Sequence, residues 1–212
     1  MTRILVADDH SVVRQGLRQI LALAPELQVA GEAENGWEVI EQVRGASPPF
    51  DLLLLDMSMP GPSGVDLIKR VRKEDPRLPM LVLSMYAESQ VAGRAIKAGA
   101  SGYLTKGSDP EDLIAAIRQV AAGGQAIDPA LAARMVFESA AVAEDAPHTL
   151  LSDREYQVFL HLVQGSGINE IGEALHISPK TVSTHKFRLM RKLGIDSLSG
   201  LVRYALQHGL AE

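Results

Sequence analysis

Leu52-Leu53-Leu54-Leu55-Asp56, followed by Met57-Ser58-Met59-Pro60-Gly61, is the stretch whose reading decides the fold. Four leucines bounded by an acid, with Pro and Gly beyond, read as a short strand buried on both faces, as in a parallel sheet. Asp56 then stands at the strand's carboxyl end, where open α/β sheets bind their ligands. One acid after an apolar run is ordinarily an exposed loop residue. Three further strand-like runs end in the same manner, and that changes the reading. Arg3 to Ala7 leads into Asp8-Asp9, Met80 to Leu83 into Ser84, and Gly102 to Thr105 into Lys106. Three carboxylates, one hydroxyl and one ammonium converge on one rim, a set suited to accepting a phosphoryl group.

Outward from this strand, the first half of the chain alternates strand and helix signals. Ile4 to Ala7 is followed by a helical spacing of Val12, Val13, Leu17, Ile20 and Leu21, closed by Pro25. Val29 to Glu34 reads as a strand and Gly36 to Val43 as a helix. After the leucine strand come a helix with Val65, Leu67, Ile68 and Val71, the strand at Leu81 to Leu83, and a helix around Val91, Ala95 and Ile96 ending at Gly99. Tyr103-Leu104 forms the last strand. Asp109-Pro110-Glu111-Asp112 opens the last helix with a cap, a first-turn Pro and acids near the positive end of the dipole. Repeated strand-then-helix units imply a parallel sheet covered on both sides.

Three segments follow from this texture. Residues 1–122 form the α/β domain, 123–147 an interdomain linker carrying one short helix from Asp128-Pro129 to Phe137, and 148–212 a small helical domain. The alternative for the middle segment is an extension of the first domain. The chain has no Cys, which excludes disulfides and thiolate metal sites and fits a reducing cytoplasm. It has neither an amino-terminal signal pattern nor an 18-residue apolar run, so no membrane partner is expected. Before Pro147 there are 14 basic and 20 acidic residues, and from there on 7 and 6. An acidic front and a slightly basic tail suit a regulatory module joined to a part that tolerates polyanions.

In the tail, Ser152 caps a helix carrying Tyr156, Val158, Phe159 and Leu162, and Gly165 to Gly167 breaks it. Ile168 to Leu175 is a short helix, and Ile177-Ser178-Pro179 opens a third that runs to about Leu193 and ends at Gly194. Ser197 or Ser199 begins a fourth, with Leu201, Val202, Ala205 and Leu206. Two helices joined by a tight turn, the second positively charged, match a helix-turn-helix. Projected at about 100° per residue, the third helix places Val182, Leu189 and Leu193 on its core side. Lys180, Thr184, Phe187 and Arg191 fall opposite, flanked by Ser183 and Arg188. From Ile177 to Ile195 there are five Lys or Arg and no acid. Lys180, Lys186, Arg188, Arg191 and Lys192 suit DNA phosphates. Ser183, Thr184 and Phe187 suit base edges, with Phe187 against a thymine methyl, and Thr181 lies on the same exposed side.

With these motifs in view, the chain resembles a two-component response regulator of the NarL/FixJ type. Such a protein joins a flavodoxin-like (βα)5 receiver to an all-α, four-helix LuxR-type helix-turn-helix domain. The likeness rests on Asp8-Asp9, Asp56 within DMSMPGPSG, Ser84, Tyr103, Lys106, LSDRE at Leu151, ISPKTVSTHK at Ile177 and RKLG at Arg191. The recognition-helix string resembles the subgroup containing BvgA and EvgA. The resemblance implies that Asp56 takes a phosphoryl group from a histidine kinase. Asp8, Asp9, Asp56 and the backbone carbonyl of Ser58 would serve Mg²⁺, with Asp8 acting through a water. Lys106 and Ser84 would contact the phosphoryl oxygens. Ser84 and Tyr103 would form the switch, Tyr103 rotating inward as Ser84 moves. It further implies phosphorylation-dependent homodimerisation, binding to promoter DNA, a possible contact with RNA polymerase, and no enzymatic role beyond the receiver's own phosphorylation and dephosphorylation.

The sequence departs from the family pattern at four places. Gly107 stands where many receivers have Pro, Gly167-Ile168 replaces a polar cap and Asn, Gly172 replaces Ala, and Ser183 replaces a base-reading Lys. A haloacid-dehalogenase-type phosphatase would need an acid two residues after Asp56, and Ser58 occupies that position. A tail that binds protein or RNA in place of duplex DNA is the remaining alternative.

Overall fold

The computed structural model describes residues 1–85, 89–129, 131–133, 135, 147–175 and 177–210. The chain divides into two compact units, residues 1–138 and 139–212.

The first unit is an all-parallel sheet ordered β2-β1-β3-β4-β5-β6. Its strands are β1 (Thr2–Ala7), β2 (Leu27–Ala33), β3 (Leu52–Asp56), β4 (Met80–Ser84), β5 (Gly102–Thr105) and β6 (Ala126–Ile127). Between them run α1 (Ser11–Leu21), α2 (Gly36–Gly45), α3 (Gly64–Glu74), α4 (Ser89–Lys97) and α5 (Pro110–Ala121). The first five strands have the flavodoxin-like order. Every residue of β3 is buried. Its leucines divide by parity, as a period of two requires. Leu53 and Leu55 join a core with Val39, Ile40, Leu67, Ile68, Ala92 and Ala95 of α2 to α4. Leu52 and Leu54 join one with Leu17 and Leu21 of α1 and Leu113 and Ile117 of α5. Helices therefore cover both faces, and the polar strand ends are left to one rim.

Two expectations are corrected here. Asp109 does stand at the N-cap of α5, with Pro110 in its first turn, but its side chain makes no capping hydrogen bond. The stretch from residue 123, expected to be linker, instead continues the first unit. Ala126 pairs with Gly102 and Ile127 with Tyr103 in a sixth parallel strand. Beyond it, Leu131 is buried in the α2–α4 core and Met135 packs on it. The physical cause is the bare edge of β5, which two backbone residues and a few apolar side chains can cover. The remainder of the expected linker helix and the acidic run to residue 146 lie outside the described residues.

The second unit contains a 3-10 turn (Pro147–Leu150) and four helices, α6 (Asp153–Val163), α7 (Ile168–Ala174), α8 (Pro179–Leu193) and α9 (Leu198–Gln207). Ser152 caps α6 in a reciprocal box: its Oγ accepts from Glu155 N, and Glu155 Oε2 accepts from Ser152 N at 2.7 Å. The absent polar cap at Gly167 is partly replaced by Glu170, whose Oε2 accepts from Gly167 N at 2.8 Å. Gly172 is explained by packing, since a Cβ there would lie 2.8 Å from the carbonyl oxygen of Ile177. The close turn between α7 and α8 offsets the helix propensity that glycine forfeits. The 3-10 turn is anchored through buried His148, whose Nδ1 lies 2.9 Å from the Tyr204 hydroxyl of α9.

We expect Leu131→Ala to destabilise the first unit by about 2–5 kcal/mol, as removal of a buried leucine side chain does, measured by urea unfolding. An unchanged midpoint would mean that this segment is a free linker after all.

Candidate functional site

Strand register assembles the site. Ala7 pairs with Leu55, Asp56 with Leu83, and Ser84 with Thr105. Asp8, Asp56, Ser84 and Lys106 therefore sit within one step of each other on four adjacent strands. Lys106 Nζ donates to Asp8 Oδ2 at 2.7 Å and lies 3.1 Å from Asp56 Oδ1. The backbone N–H of Lys106 donates to Ser84 O at 2.8 Å. Gly107 thus does not prevent Lys106 from reaching the pocket. Asp8, Asp56 and Ser84 are all buried. Ser58, half-buried, follows between buried Met57 and Met59. The loop beyond is pinned by Gly36, whose N–H donates to Pro60 O at 3.0 Å. A Cβ on Gly36 would collide with the Pro62 carbonyl.

Burial pushes the Asp56 carboxyl above its usual range; Lys106 opposes the shift, while Asp8 and Asp9 add to it. For Lys106, burial favours the neutral amine, but Asp56 and Asp8 together outweigh it and hold the ammonium above its usual range. Asp56 is 3 % exposed, and its Oδ2 has no hydrogen-bond partner among the described residues. An uncompensated buried carboxylate oxygen is costly. A dication would satisfy it, and the clustered hard oxygens are the donors that Mg²⁺ takes.

Two residues at this site, His10 and Arg14, were not foreseen. Ligand atoms of Asp8, Asp9 and His10 lie together in a group of the kind that holds a metal ion. His10 Nδ1 is 2.9 Å from Asp9 Oδ1 and 3.3 Å from Asp8 Oδ1. Arg14 is buried with Leu17 and Leu21 on one side of α1. A charge in that apolar stripe was a signal available in the sequence. Tyr103 corrects an expectation: it is fully buried in the α2–α4 core, so its ring already occupies the inward position to which it was expected to rotate.

In the second unit, α8 buries Val182, Leu189 and Leu193 as its spacing predicts. Lys180, Thr181, Ser183, Thr184, Phe187, Arg188, Arg191 and Lys192 are exposed, and Lys186 is half-buried. Phe187 is 65 % exposed, an unusual position for a ring with no partner surface. Ser183 Oγ donates to Pro179 O at 2.9 Å and Thr184 Oγ1 to Lys180 O at 3.0 Å. Thr181 Oγ1 lies 2.8 Å from the capping Ser178 Oγ. Ser183 and Thr184 therefore offer acceptor lone pairs and a methyl outward, with their protons engaged in the helix. Lys192, expected at the DNA phosphates, is also engaged within the unit: its Nζ donates to Glu155 Oε2 at 2.6 Å and to Leu150 O at 3.0 Å. His185 was not foreseen either. Its Nδ1 is buried without a partner among the described residues, and burial lowers its pKa against the pull of Glu155.

The comparisons with known proteins match both units. Residues 4–118 match the response regulator receiver domain, and residues 149–205 the luxR family of bacterial regulatory proteins. The chain belongs to the LuxR-type response regulators. It is 37 % identical to the response regulator GacA of Pseudomonas protegens, over all of this chain and 99 % of that one. It is 34 % identical to the response regulator UvrY of Escherichia coli K12, over 99 % of this chain and 96 % of the other. Among solved structures it is similar to RcsB of Salmonella enterica serovar Typhimurium bound to promoter rprA with the phosphomimetic BeF3−. That pair shares 27 % identity and a TM-score of 0.62, over 96 % and 97 % of the two chains. As a response regulator of the NarL/FixJ type, the chain couples phosphorylation of a receiver to DNA binding and transcription regulation. Among the described residues no helix is long and apolar enough to cross a membrane.

Two outcomes follow. Ionised Asp56 is disfavoured by folding, so the wild type loses stability as pH rises from the ordinary Asp value, about 3.9, to its raised folded value. Without metal at neutral pH, Asp56→Asn should therefore melt a few degrees higher, on the order of 1 kcal/mol. A lower melting temperature in calorimetry would contradict this. For Glu155, burial raises the pKa, but hydrogen bonds from Lys192 and Ser152 outweigh it and hold it below the usual value. Lys192→Met should therefore cost about 1–3 kcal/mol. The cost should be full above the ordinary Glu value, about 4.3, and fade as pH falls towards the lower folded value. A cost unchanged across that pH range in denaturant titrations would refute the pairing.

Proposed function

We propose that Asp56 is the phosphoacceptor of a cytoplasmic two-component phosphorelay, and that its phosphorylation controls dimerisation and promoter binding by α8. The observation that carries this reading is the buried Asp56 Oδ2, without a hydrogen-bond partner among the described residues, beside Lys106. An Asp56 oxygen attacks the phosphorus of a histidine-kinase phosphohistidine. The P–N bond breaks as the P–O bond forms, and the departing imidazole keeps the bonding pair and takes up a proton. Lys106 stabilises charge on the transferred oxygens, and the Ser84 hydroxyl donates to one of them. Asp9, Asp56 and the Ser58 carbonyl, with Asp8 through a water, would hold Mg²⁺, which would supply charge neutralisation for the phosphoryl oxygens. The same groups, with an in-line water, release phosphate, and the receiver's own phosphorylation and dephosphorylation are the reactions assigned to the chain.

The acyl phosphate carries about −1.5 to −2 charges and draws Ser84 and Lys106 towards itself. Tyr103 then serves the switch from its inward position, by fixing the α4–β5 packing once Ser84 has moved. Two such states need differ only by a few kcal/mol for phosphate to choose between them. In the output unit, Lys180, Lys186, Arg188 and Arg191 neutralise DNA phosphates. Thr181 supports the amino end of α8, and Ser183, Thr184 and Phe187 face the bases. The exposed phenyl ring within a basic stripe favours duplex DNA over a protein or RNA partner. A homodimer would present two such helices to a repeated site. RNA polymerase is a further partner consistent with this role, and the α8 string supports a BvgA/EvgA-like subgroup.

A small-molecule phosphodonor should convert the wild type to a dimer on a sizing column and leave Asp56→Asn monomeric; identical elution of the two would refute the phosphoacceptor assignment. In gel-shift assays, Lys180→Ala should weaken binding to promoter and random DNA alike and lower the salt slope by about one. Phe187→Ala should cost mainly discrimination, about 1–3 kcal/mol at the base it meets. Equal losses on both DNAs for both variants would contradict this division.

A further inference from the structure

We infer that Arg14 is a positioning residue of the acidic pocket, holding the Asp8–Asp9 turn in the shape that takes a divalent cation. This rests on the reading of that pocket as the cation and phosphoacceptor site. Arg14 lies in the first turn of α1 and is only 8 % exposed. Its Nη1 donates to the backbone carbonyl of Asp8 at 2.8 Å. Its Nε donates to Glu32 Oε2 at 3.1 Å, and its Nη2 to Glu34 Oε1. The other side of the same residue is fixed as well, since Asp8 N donates to Ala33 O of β2 at 3.1 Å. Asp8 therefore has both backbone polar groups clamped, one by a neighbouring strand and one by Arg14. Its side chain is held in turn, with Oδ1 accepting from His10 N at 2.9 Å and Oδ2 from Lys106.

The effect is one of geometry more than of charge. Glu32 and Glu34 offset the guanidinium, so little net positive field reaches the pocket. A planar fork can serve three acceptors at fixed angles, which the single ammonium of Lys cannot do. Residues that orient a metal's ligands typically alter affinity by about 10–100-fold when removed. Arg18 provides an internal comparison. It also pairs with Glu32, at 2.5 Å, but is half exposed, and it is Arg14 that reaches the Asp8 carbonyl.

The test is cation binding by the full chain, with free Mn²⁺ counted by electron paramagnetic resonance and Mg²⁺ measured by competition. Melting of the metal-free protein is followed in parallel. Arg14→Lys and Arg14→Gln should bind Mn²⁺ roughly tenfold more weakly than wild type. Glu34→Gln, at an exposed carboxylate, should weaken it by a smaller factor, and Arg18→Gln should leave it unchanged. Melting temperature alone would follow a purely structural role; affinity measured well below it would not. Wild-type affinity in both Arg14→Lys and Glu34→Gln would overturn the inference even if Arg14→Gln fails to fold. Equal losses in the Arg18 and Arg14 variants would overturn it too. Asp9→Asn separates the underlying reading, because undiminished Mn²⁺ binding there would mean that the pocket is not the cation site.

Discussion

The ammonium of Lys106, shared between Asp8 and Asp56, is the contact on which the rest of the first unit depends. Burial, with the neighbouring Asp8 and Asp9 charges, pushes the Asp56 carboxyl up, and Lys106 opposes that shift. One cation shared between two buried carboxylates leaves the cluster incompletely satisfied. Asp56 retains an oxygen with no donor among the described residues, so the pocket stays poised for an external charge. Stability is given up locally to keep a reactive group available, a common arrangement where chemistry is performed.

The sheet makes this arrangement possible and also made it legible. In a parallel sheet all the carboxyl ends fall on one rim. Polar residues that follow separate apolar runs, Asp8, Asp56, Ser84 and Lys106, must therefore meet, whatever their distance in sequence. The α8 stripe was legible for a similar reason, because a single helical period assigns Val182, Leu189 and Leu193 inward and Phe187 outward. What escaped the reading lacked a period. β6 is two residues long, too short for alternation to register, and owes its existence to the open edge of β5. Lys192 looked like any other basic residue until the fold brought a buried Glu155 beneath it. Tyr103 was expected to rotate inward, because a strand aromatic near a rim gives no sign of how deeply neighbouring helices will cover it. Arg14 is the instructive case: its place among Leu17 and Leu21 was visible, but the three acceptors that explain it come from β2 and the residues just past β1 and β2.

The recognition helix shows how helix-internal bonding shapes an interface before any ligand arrives. With the Ser183 and Thr184 hydroxyl protons directed at Pro179 and Lys180 carbonyls, those side chains face outward as acceptors. Their selectivity would then fall on base donors and methyl groups. The Ser183 departure from a base-reading lysine thus changes the sign of hydrogen bonding offered at that place, along with its charge.

The short pairing of Ile127 with Tyr103 bears on where such proteins can be cut and rejoined. The receiver family match ends at residue 118, inside α5, and a graft made there would strip β5 of its partner. It would also remove Leu131 from the α2–α4 core. A bare strand edge invites pairing between molecules, so a chimera built on that boundary would be prone to stick to its own copies. A junction beyond residue 135 carries the cover along with the sheet, and it is there, past the edge of the recognised family, that the module can be exchanged intact.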